Sequence, residues 1–290
     1  MRDGLLKPFY ISSFGGTATL WINEVLNAHP EIVSFHGTRS IPPHGSGTND
    51  LSPEAFTQGL NLLMTKSSHS KLFGAIHGFY GATLYPSIQA VGGAFCAVTR
   101  NPIKRINSLF NHHYKKTVGT GENGWDKRKT VYQDMVDKKF DAIAFDAQNQ
   151  VKTSAVVEYF MWICEGTLGN DILLFDILGL EYTFKMEKLV TDRDYFANLL
   201  SVIGQDNLTI SDKYLDKVFT TAETHKHAHV EQSEQDIFDS WPDILKLIYK
   251  NNFAKLNPSK VASVYEALDY EVVDNQQDTF EVEHNYFVRK

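Results

Sequence analysis

Residues 8–30 read PFYISSFGGTATLWINEVLNAHP, which joins an apolar run, a glycine-containing turn and a helical pattern. The run Pro8–Ser12 predicts a short buried strand. From residue 18 to residue 28 the apolar side chains recur at helical spacing, and Pro30 marks the end of that helix. A strand, turn and helix in this order place unpaired backbone N–H groups and the positive end of the helix dipole at the turn. The stretch therefore predicts a site for an anion such as phosphate.

The same alternation of strand and helix continues along the chain. Further buried strands are predicted at 31–35, 72–77, 94–99, 172–175 and 182–184. Strands that alternate with helices predict a parallel sheet covered on both faces. The predicted fold class is therefore α/β, with a central parallel sheet flanked by helices in a single domain over residues 1–272. A polar C-terminal tail is predicted over residues 273–290.

The composition is that of an ordinary globular protein. The chain has 290 residues, of which 42% are hydrophobic and 22% charged, and its formal net charge is −7. This balance excludes a disordered chain, a collagen-like fibre and a coiled coil. A general nucleic-acid binder is usually basic, so no nucleic-acid partner is expected.

No segment approaches the roughly 18 uninterrupted apolar residues of a membrane span, and the N-terminus lacks the apolar run of an export signal. A cytoplasmic protein without stable membrane insertion is therefore expected. The two cysteines, Cys96 and Cys164, lie among apolar neighbours in the sequence and are predicted to be buried free thiols.

The turn lacks the lysine of a nucleotide triphosphatase. The Walker A pattern requires Gly-Lys followed by Ser or Thr, whereas Gly16 is followed by Thr17 and no lysine occurs in residues 8–30. Gly15 and Gly16 permit a close approach of the backbone to a ligand, and the hydroxyls of Thr17 and Thr19 add donors. Taken alone, the turn fits a plain strand–turn–helix connection equally well.

A second run, Val98–Ser108, begins at the carboxyl end of a predicted strand. Arg100 therefore lies where ligands bind in open α/β sheets. Asn101 and Pro102 predict the N-cap and the first residue of the next helix, which places Ser108 two turns into that helix. A guanidinium and a hydroxyl can hold a phosphate through charge-assisted hydrogen bonds. The run predicts a second phosphate site.

Together these two runs resemble the sulfotransferases that use 3′-phosphoadenosine-5′-phosphosulfate (PAPS). In that family a Gly-Thr loop after the first strand binds the 5′-phosphosulfate, and the motif Arg-Asp/Asn-Pro-x-x-Arg-x-x-Ser binds the 3′-phosphate. Residues 100–108, RNPIKRINS, meet that motif at every defined position. A third run, Phe184–Leu189, resembles the family's strand-plus-acidic motif near the adenosine. The resemblance spans most of residues 8–205 and implies a P-loop-like sulfotransferase architecture.

The resemblance implies that PAPS binds at these motifs and leaves as 3′,5′-ADP (PAP). The 5′-phosphosulfate is assigned to the loop residues Ser13, Phe14, Gly15, Gly16, Thr17, Ala18 and Thr19. The 3′-phosphate is assigned to Arg100 and Ser108, with Lys226 as a further contact from the segment where the family has a basic Arg-Lys-Gly run. The histidines around Lys226 are interpreted as part of a loop and not as a metal site, and the reaction formally needs no metal.

The loop departs from the family at one position. The family places Lys or Arg two residues before the Gly-Thr pair, whereas this sequence has Phe14. Lys7, Arg39 and Lys185 are the candidates for the missing cation. If none of them supplies it, the resemblance implies a nucleotide-binding protein with lost or weak transfer activity. An atypical P-loop kinase is a further alternative, which the missing lysine disfavours.

Two histidines are candidates for a general base that accepts the acceptor's proton. His77 ends a predicted strand and matches the histidine that cytosolic members of the family use as the base. His36 follows the second predicted strand, where other branches of the family have a catalytic carboxylate. His77 is the preferred candidate and His36 the alternative, and a structural role stays open for each.

The implied reaction is the transfer of a sulfuryl group from PAPS to a hydroxyl or amine. The acceptor is a small molecule or a glycan. Steroid, lipid, sugar and peptide acceptors are all compatible with the sequence. The sequence predicts no particular oligomeric state.

Overall fold

A computed structural model describes residues 6–37, 53–67, 70–76, 81–117, 144–145, 151–152, 155–224 and 232–270. The contacts divide the chain into two compact units. The first unit comprises residues 1–100 and 171–230, and the second comprises residues 101–170 and 231–290. The domain boundary at residue 272 stays a prediction, and the tail at 273–290 lies outside the described residues.

Strands and helices alternate through the first half of the described chain. The described strands are β1 (Phe9–Ser12), β2 (Ile32–His36), β3 (Leu72–Ile76), β4 (Ala94–Thr99), β5 (Ala144–Phe145), β6 (Val151–Lys152) and β7 (Thr183–Lys185). The described helices are α1 (Thr19–Asn27), α2 (Pro53–Lys66), α3 (Gly81–Ala90), α4 (Pro102–Thr117), α5 (Ala155–Leu178), α6 (Met186–Leu189), α7 (Arg193–Gly204), α8 (Asp212–Thr224), α9 (Glu234–Ser240), α10 (Asp243–Lys255) and α11 (Pro258–Ala267).

The first unit contains a five-stranded parallel sheet with the strand order β2–β3–β1–β4–β7. The register pairs Ser12 with Ala97 across β1 and β4. Because all five strands are parallel, their carboxyl ends lie at one edge of the sheet. The turn that follows β1 therefore lies at the same edge as His36, Arg100 and Lys185, which end or follow β2, β4 and β7.

The sheet is buried because helices pack against it. Every residue of β1, β3 and β4 is buried, as is typical of inner parallel strands, which have no polar alternation. Helices α1, α2, α3 and α7 contact the strands. In α1 the buried residues Trp21, Ile22, Val25 and Leu26 form one apolar face that joins the core of the sheet. The predicted α/β fold with a central parallel sheet is confirmed.

One predicted strand is wrong. Residues 172–175 lie inside helix α5, which runs from Ala155 to Leu178. A short apolar run fits a buried strand and a buried helix equally well, so its periodicity could not separate the two. The buried side chains of Leu168 and Ile172 are four residues apart, which is the helical spacing. The strand predicted at 182–184 is β7.

The second unit is built from helices around an aromatic cluster. The ring of Trp241 lies edge-on to that of Phe160, with centroids 5.2 Å apart, and 5.6 Å from that of Phe238. Helix α4 begins as predicted, because the backbone N–H of Lys104 donates to Asn101 Oδ1 over 3.1 Å and Pro102 is the first helical residue. A two-stranded antiparallel pair, β5 and β6, also belongs to this unit.

Both cysteines are buried and free, as predicted. Burial raises the pKa of the Cys96 thiol, and burial together with nearby Glu165 raises that of Cys164. Both side chains are therefore protonated at neutral pH and serve as small apolar core residues. Of the helices that the structure describes, none has the length and apolar character needed to cross a membrane.

Gly74 in β3 lies directly against the ring of Phe9 in β1. A Cβ at position 74 would lie 2.3 Å from a ring carbon of Phe9. We expect Gly74→Ala to lower the free energy of unfolding by roughly 1–3 kcal/mol, the usual cost of overpacking. Gly169→Ala is the matched control, since outside its chain neighbours and the nearby backbone of its own helix no described atom lies within 4 Å of a Cβ there. A helix interior favours alanine over glycine by about 1 kcal/mol, so no loss of stability is expected in this variant. Urea unfolding measures the free energy of unfolding of both variants. A Gly74→Ala variant as stable as the wild-type protein would contradict this packing.

Candidate functional site

The turn between β1 and α1 has an unusual backbone. Its φ values are left-handed at Gly15 (111°), Gly16 (66°) and Ala18 (53°). Glycine adopts such values without a Cβ clash, which explains the glycine pair at this position. Turns of this kind direct successive backbone N–H groups toward one concave side, and such concavities bind anions.

Helix α1 adds a positive end to the same turn. Its first N–H groups have no partner within the helix, and the N-cap residue, Ala18, offers no side-chain hydrogen bond within the described structure. The helix is nine residues long, and its first turn, which is fully described, contains no acidic residue. The helix dipole therefore favours a negatively charged ligand at the turn.

Hydroxyl groups order the turn from its two sides. Ser13 Oγ accepts a hydrogen bond from the backbone N–H of Gly15 over 3.2 Å and is hydrogen-bonded to Thr17 Oγ1. When Ser13 is the donor to Thr17, the proton of the Thr17 hydroxyl is left for a ligand. On the other side, Thr19 Oγ1 lies 3.1 Å from Nε2 of His36.

Arg100 links the end of β4 to the turn. Its Nη1 donates to the backbone carbonyl of Gly16 over 3.2 Å, and its Nε lies 3.8 Å from a carboxylate oxygen of Glu187. A guanidinium carries five N–H donors in a fixed fork, so it can hold a backbone carbonyl and an anion together. The strand end itself is fixed by Thr99, whose hydroxyl donates to the buried carboxylate of Asp171 over 3.0 Å.

Of the cation candidates within the described residues, Lys185 is the one at this edge of the sheet. It is the last residue of β7, it pairs with Thr99 of β4, and it is buried. Its backbone N–H donates to the phenol oxygen of Tyr195 over 2.9 Å. Burial raises the pKa of the Tyr195 phenol, which keeps that side chain neutral.

The other two cation candidates differ in position. Lys7 is exposed and precedes β1, and its Cε lies 4.0 Å from a Cβ built at Gly92, at the amino edge of the sheet. Arg39 lies outside the described residues. Phe14, which occupies the position of the family's cation, is 7% exposed.

The structure thus brings together the predicted loop, His36 and Arg100 in the first unit. Ser108 lies in α4 of the second unit and is half-buried. His77 and Lys226 lie outside the described residues. The sequence did not predict the contacts of Arg100 with Glu187 or of His36 with Thr19. The acidic position of the run Phe184–Leu189 was the available signal for the first of these contacts.

No model of a known protein family matches the chain, and no curated protein matches it. Among solved structures, the fold is similar to that of mouse sulfotransferase SULT7A1 complexed with PAP, with 12% sequence identity, coverage of 91% of this chain and 94% of that chain, and a TM-score of 0.51. Sulfotransferase STF9 from Mycobacterium avium aligns at 10% identity over 88% of this chain and 78% of that one, with a TM-score of 0.49. A sulfotransferase from Alicyclobacillus acidocaldarius aligns at 14% identity over 77% and 97%, with a TM-score of 0.36.

The chain therefore has the fold of a sulfotransferase, on the strength of its similarity to the mouse structure. The resemblance seen in the sequence motifs predicted this fold correctly.

Proposed function

We propose that the protein is a PAPS-dependent sulfotransferase that acts on a hydroxyl or amine of a small-molecule or glycan acceptor. The observation that carries the proposal is the hydrogen bond from Arg100 to the carbonyl of Gly16, 3.2 Å long. This bond joins the motif assigned to the 3′-phosphate to the loop assigned to the 5′-phosphosulfate. A nucleotide with phosphates on both sides of its ribose requires two such sites side by side. The similarity in fold to a sulfotransferase complexed with PAP supports the same ligand.

The 5′-phosphosulfate is proposed to bind to the turn Ser13–Thr19. The backbone N–H groups of the turn and of the first turn of α1 are its donors, with the hydroxyls of Thr17 and Thr19 beside them. Arg100 is proposed to hold the 3′-phosphate. The sequence motifs alone assign Ser108 and Lys226 to the same phosphate.

The transfer forms a bond between sulfur and the acceptor oxygen or nitrogen and breaks the bond from sulfur to the 5′-phosphate oxygen. The acceptor's proton passes to the base, and PAP leaves. By analogy with phosphoryl transfer the transition state is loose, so catalysis comes mainly from positioning and from stabilising charge on the leaving phosphate. The helix dipole of α1 acts on that charge, and Lys185 is the proposed cation.

His77 is the proposed general base, and His36 is the alternative. His77 is preferred because its position in the sequence, counted from Arg100, matches that of the family's histidine. His36 lies at the carboxyl edge of the sheet and contacts the loop through Thr19.

A second candidate function is nucleotide binding without efficient transfer. The observation that favours it is Phe14, a buried aromatic residue where the family has a basic side chain. Such a loop retains its N–H donors but lacks one positive charge for the leaving phosphate. Transfer of radiolabelled sulfate from PAPS to a panel of acceptors separates this candidate from the enzyme.

Thermal unfolding with three nucleotides tests the binding proposal. We expect PAP at about one hundred times its Kd to stabilise the protein by about 2.7 kcal/mol, which corresponds to a rise in Tm of about 5 °C. ATP and 5′-AMP at the same concentration are expected to give smaller shifts, since neither carries a 3′-phosphate. A shift with ATP as large as that with PAP would contradict the assignment.

A further inference from the structure

The contact between His36 and Thr19 connects two neighbouring elements at the anion site. His36 is the last residue of β2, and Thr19 is the first residue of α1. Nε2 of the imidazole lies 3.1 Å from the Thr19 hydroxyl oxygen, and Thr19 itself is buried. The hydroxyl therefore contacts the imidazole at the first residue of α1, the helix whose N-terminus is proposed to bind the 5′-phosphosulfate.

We propose that His36 is a positioning residue that makes the Thr19 hydroxyl a hydrogen-bond donor to the 5′-phosphosulfate. The inference rests on the proposed function, because it assumes an anion at the turn. It assigns His36 a role that acts through Thr19 and not through direct contact with the acceptor.

The argument follows from the donor count of a hydroxyl group. A threonine hydroxyl has one proton and two lone pairs. When His36 carries a proton on Nε2 and donates it to Thr19 Oγ1, the hydroxyl's own proton is directed to the ligand. When Nε2 is bare and accepts that proton, Thr19 turns its lone pairs toward the anion and repels it. A neutral imidazole protonated on Nε2 suffices, since the effect needs a donor and not a charge.

The same arrangement occurs at the other threonine of the turn. Thr17 is hydrogen-bonded to Ser13, which follows the end of β1, just as Thr19 is hydrogen-bonded to His36 at the end of β2. Each threonine thus has a partner at a strand end that can donate to it. In a loop with Phe14 where the family has a cation, these hydroxyl protons carry more of the contact with the anion.

Nε2 of His36 cannot be both the donor to Thr19 and the nitrogen of a general base. A base must accept the acceptor's proton on a bare nitrogen, whereas the positioning role requires a proton on Nε2. Assigning Nε2 of His36 to Thr19 therefore leaves Nδ1 as the ring nitrogen of His36 through which it could act as a base.

The test compares two variants and two ligands by calorimetric titration. In His36→Leu the donor is lost, and the Kd for PAP is expected to rise about tenfold, as for one hydrogen bond to a charged group. Adenosine 3′-monophosphate lacks the 5′-phosphate, so its Kd is expected to stay the same in that variant. In His36→Gln the side-chain amide can still donate to Thr19, and the Kd for PAP is expected to stay within about twofold of the wild-type value.

The double variant His36→Leu/Thr19→Val is expected to lose no more affinity than either single variant, because the two residues act as a unit.

The outcomes of these titrations separate the positioning role of His36 from its alternatives. An equal loss of affinity for both ligands in His36→Leu, or a loss in His36→Gln as large as in His36→Leu, overturns the positioning role. So do additive losses in the double variant. Unchanged PAP affinity in His36→Leu combined with a fall in kcat assigns His36 as the base instead. If the wild-type protein itself fails to bind PAP, the proposed function is wrong, and that result is distinct from binding that is insensitive to His36.

Discussion

Arg100→Ala is expected to weaken the binding of PAP by about 100-fold, while the Kd for 5′-AMP changes only a few-fold. The guanidinium is the proposed ligand of the 3′-phosphate, and loss of a charge-assisted, two-pronged contact costs about that much. A small loss for 5′-AMP is expected as well, because Arg100 also donates to the carbonyl of Gly16 in the turn that is proposed to bind the 5′-phosphate. Calorimetric titration of the two nucleotides measures the ratio.

Two further variants make the Arg100 result specific. Arg100→Lys keeps the positive charge but not the fork of donors, and an intermediate loss is expected. Arg193→Ala is the matched control, since this arginine of the same unit pairs with Asp212 and Asp216 at the surface, and no change in either Kd is expected. Equal losses for PAP and 5′-AMP in Arg100→Ala would show that the residue only supports the turn, and the assignment of the 3′-phosphate would fall.

The parts of the fold that the sequence predicts are those with a local cause. The sequence predicts strand β4 at its observed bounds, Ala94–Thr99, because a nearly continuous apolar run ends just before Arg100. The start of α4 was predicted because Asn101 and Pro102 are the cap and first residue that a helix favours. In both cases a few neighbouring side chains determine the backbone, so no knowledge of the distant chain was needed.

The contacts of the candidate site have a different origin. His36 and Thr19 are 17 residues apart, and Arg100 and Gly16 are 84 residues apart. They meet because the sheet has the order β2–β3–β1–β4–β7 and all its strands run in one direction. Nothing in a local pattern determines strand order, whereas the rule that ligands bind at the carboxyl ends of parallel strands indicated Arg100 in advance. The binding roles of these residues stay predictions.

The choice among the candidates for the missing cation depends on the sheet and not on the motif. The sequence offered Lys7, Arg39 and Lys185 with no means of choosing among them. The sheet distinguishes Lys7 from Lys185, because Lys7 precedes β1 at the amino edge and Lys185 ends β7 at the carboxyl edge. The sequence shows that Lys7 precedes its strand and that Lys185 ends its strand. The parallel pairing of β1 with β4 and of β4 with β7 puts these two positions at opposite edges of the sheet.

His77→Ala is expected to lower kcat by about 10²–10⁴-fold, the usual contribution of a positioned general base, and to leave the Kd for PAP unchanged. Strand β3 ends at Ile76, one residue before His77 in the sequence, and lies between β1 and β2; His77 itself lies outside the described residues. The nucleotide contacts proposed above do not include His77, so binding and turnover are expected to separate. Added imidazole is expected to restore part of the lost turnover, because it supplies a base of the same kind without repairing any structural contact. Turnover that persists in His77→Ala, or a loss that imidazole does not restore and that is accompanied by weaker PAP binding, would contradict the assignment of His77 as the base.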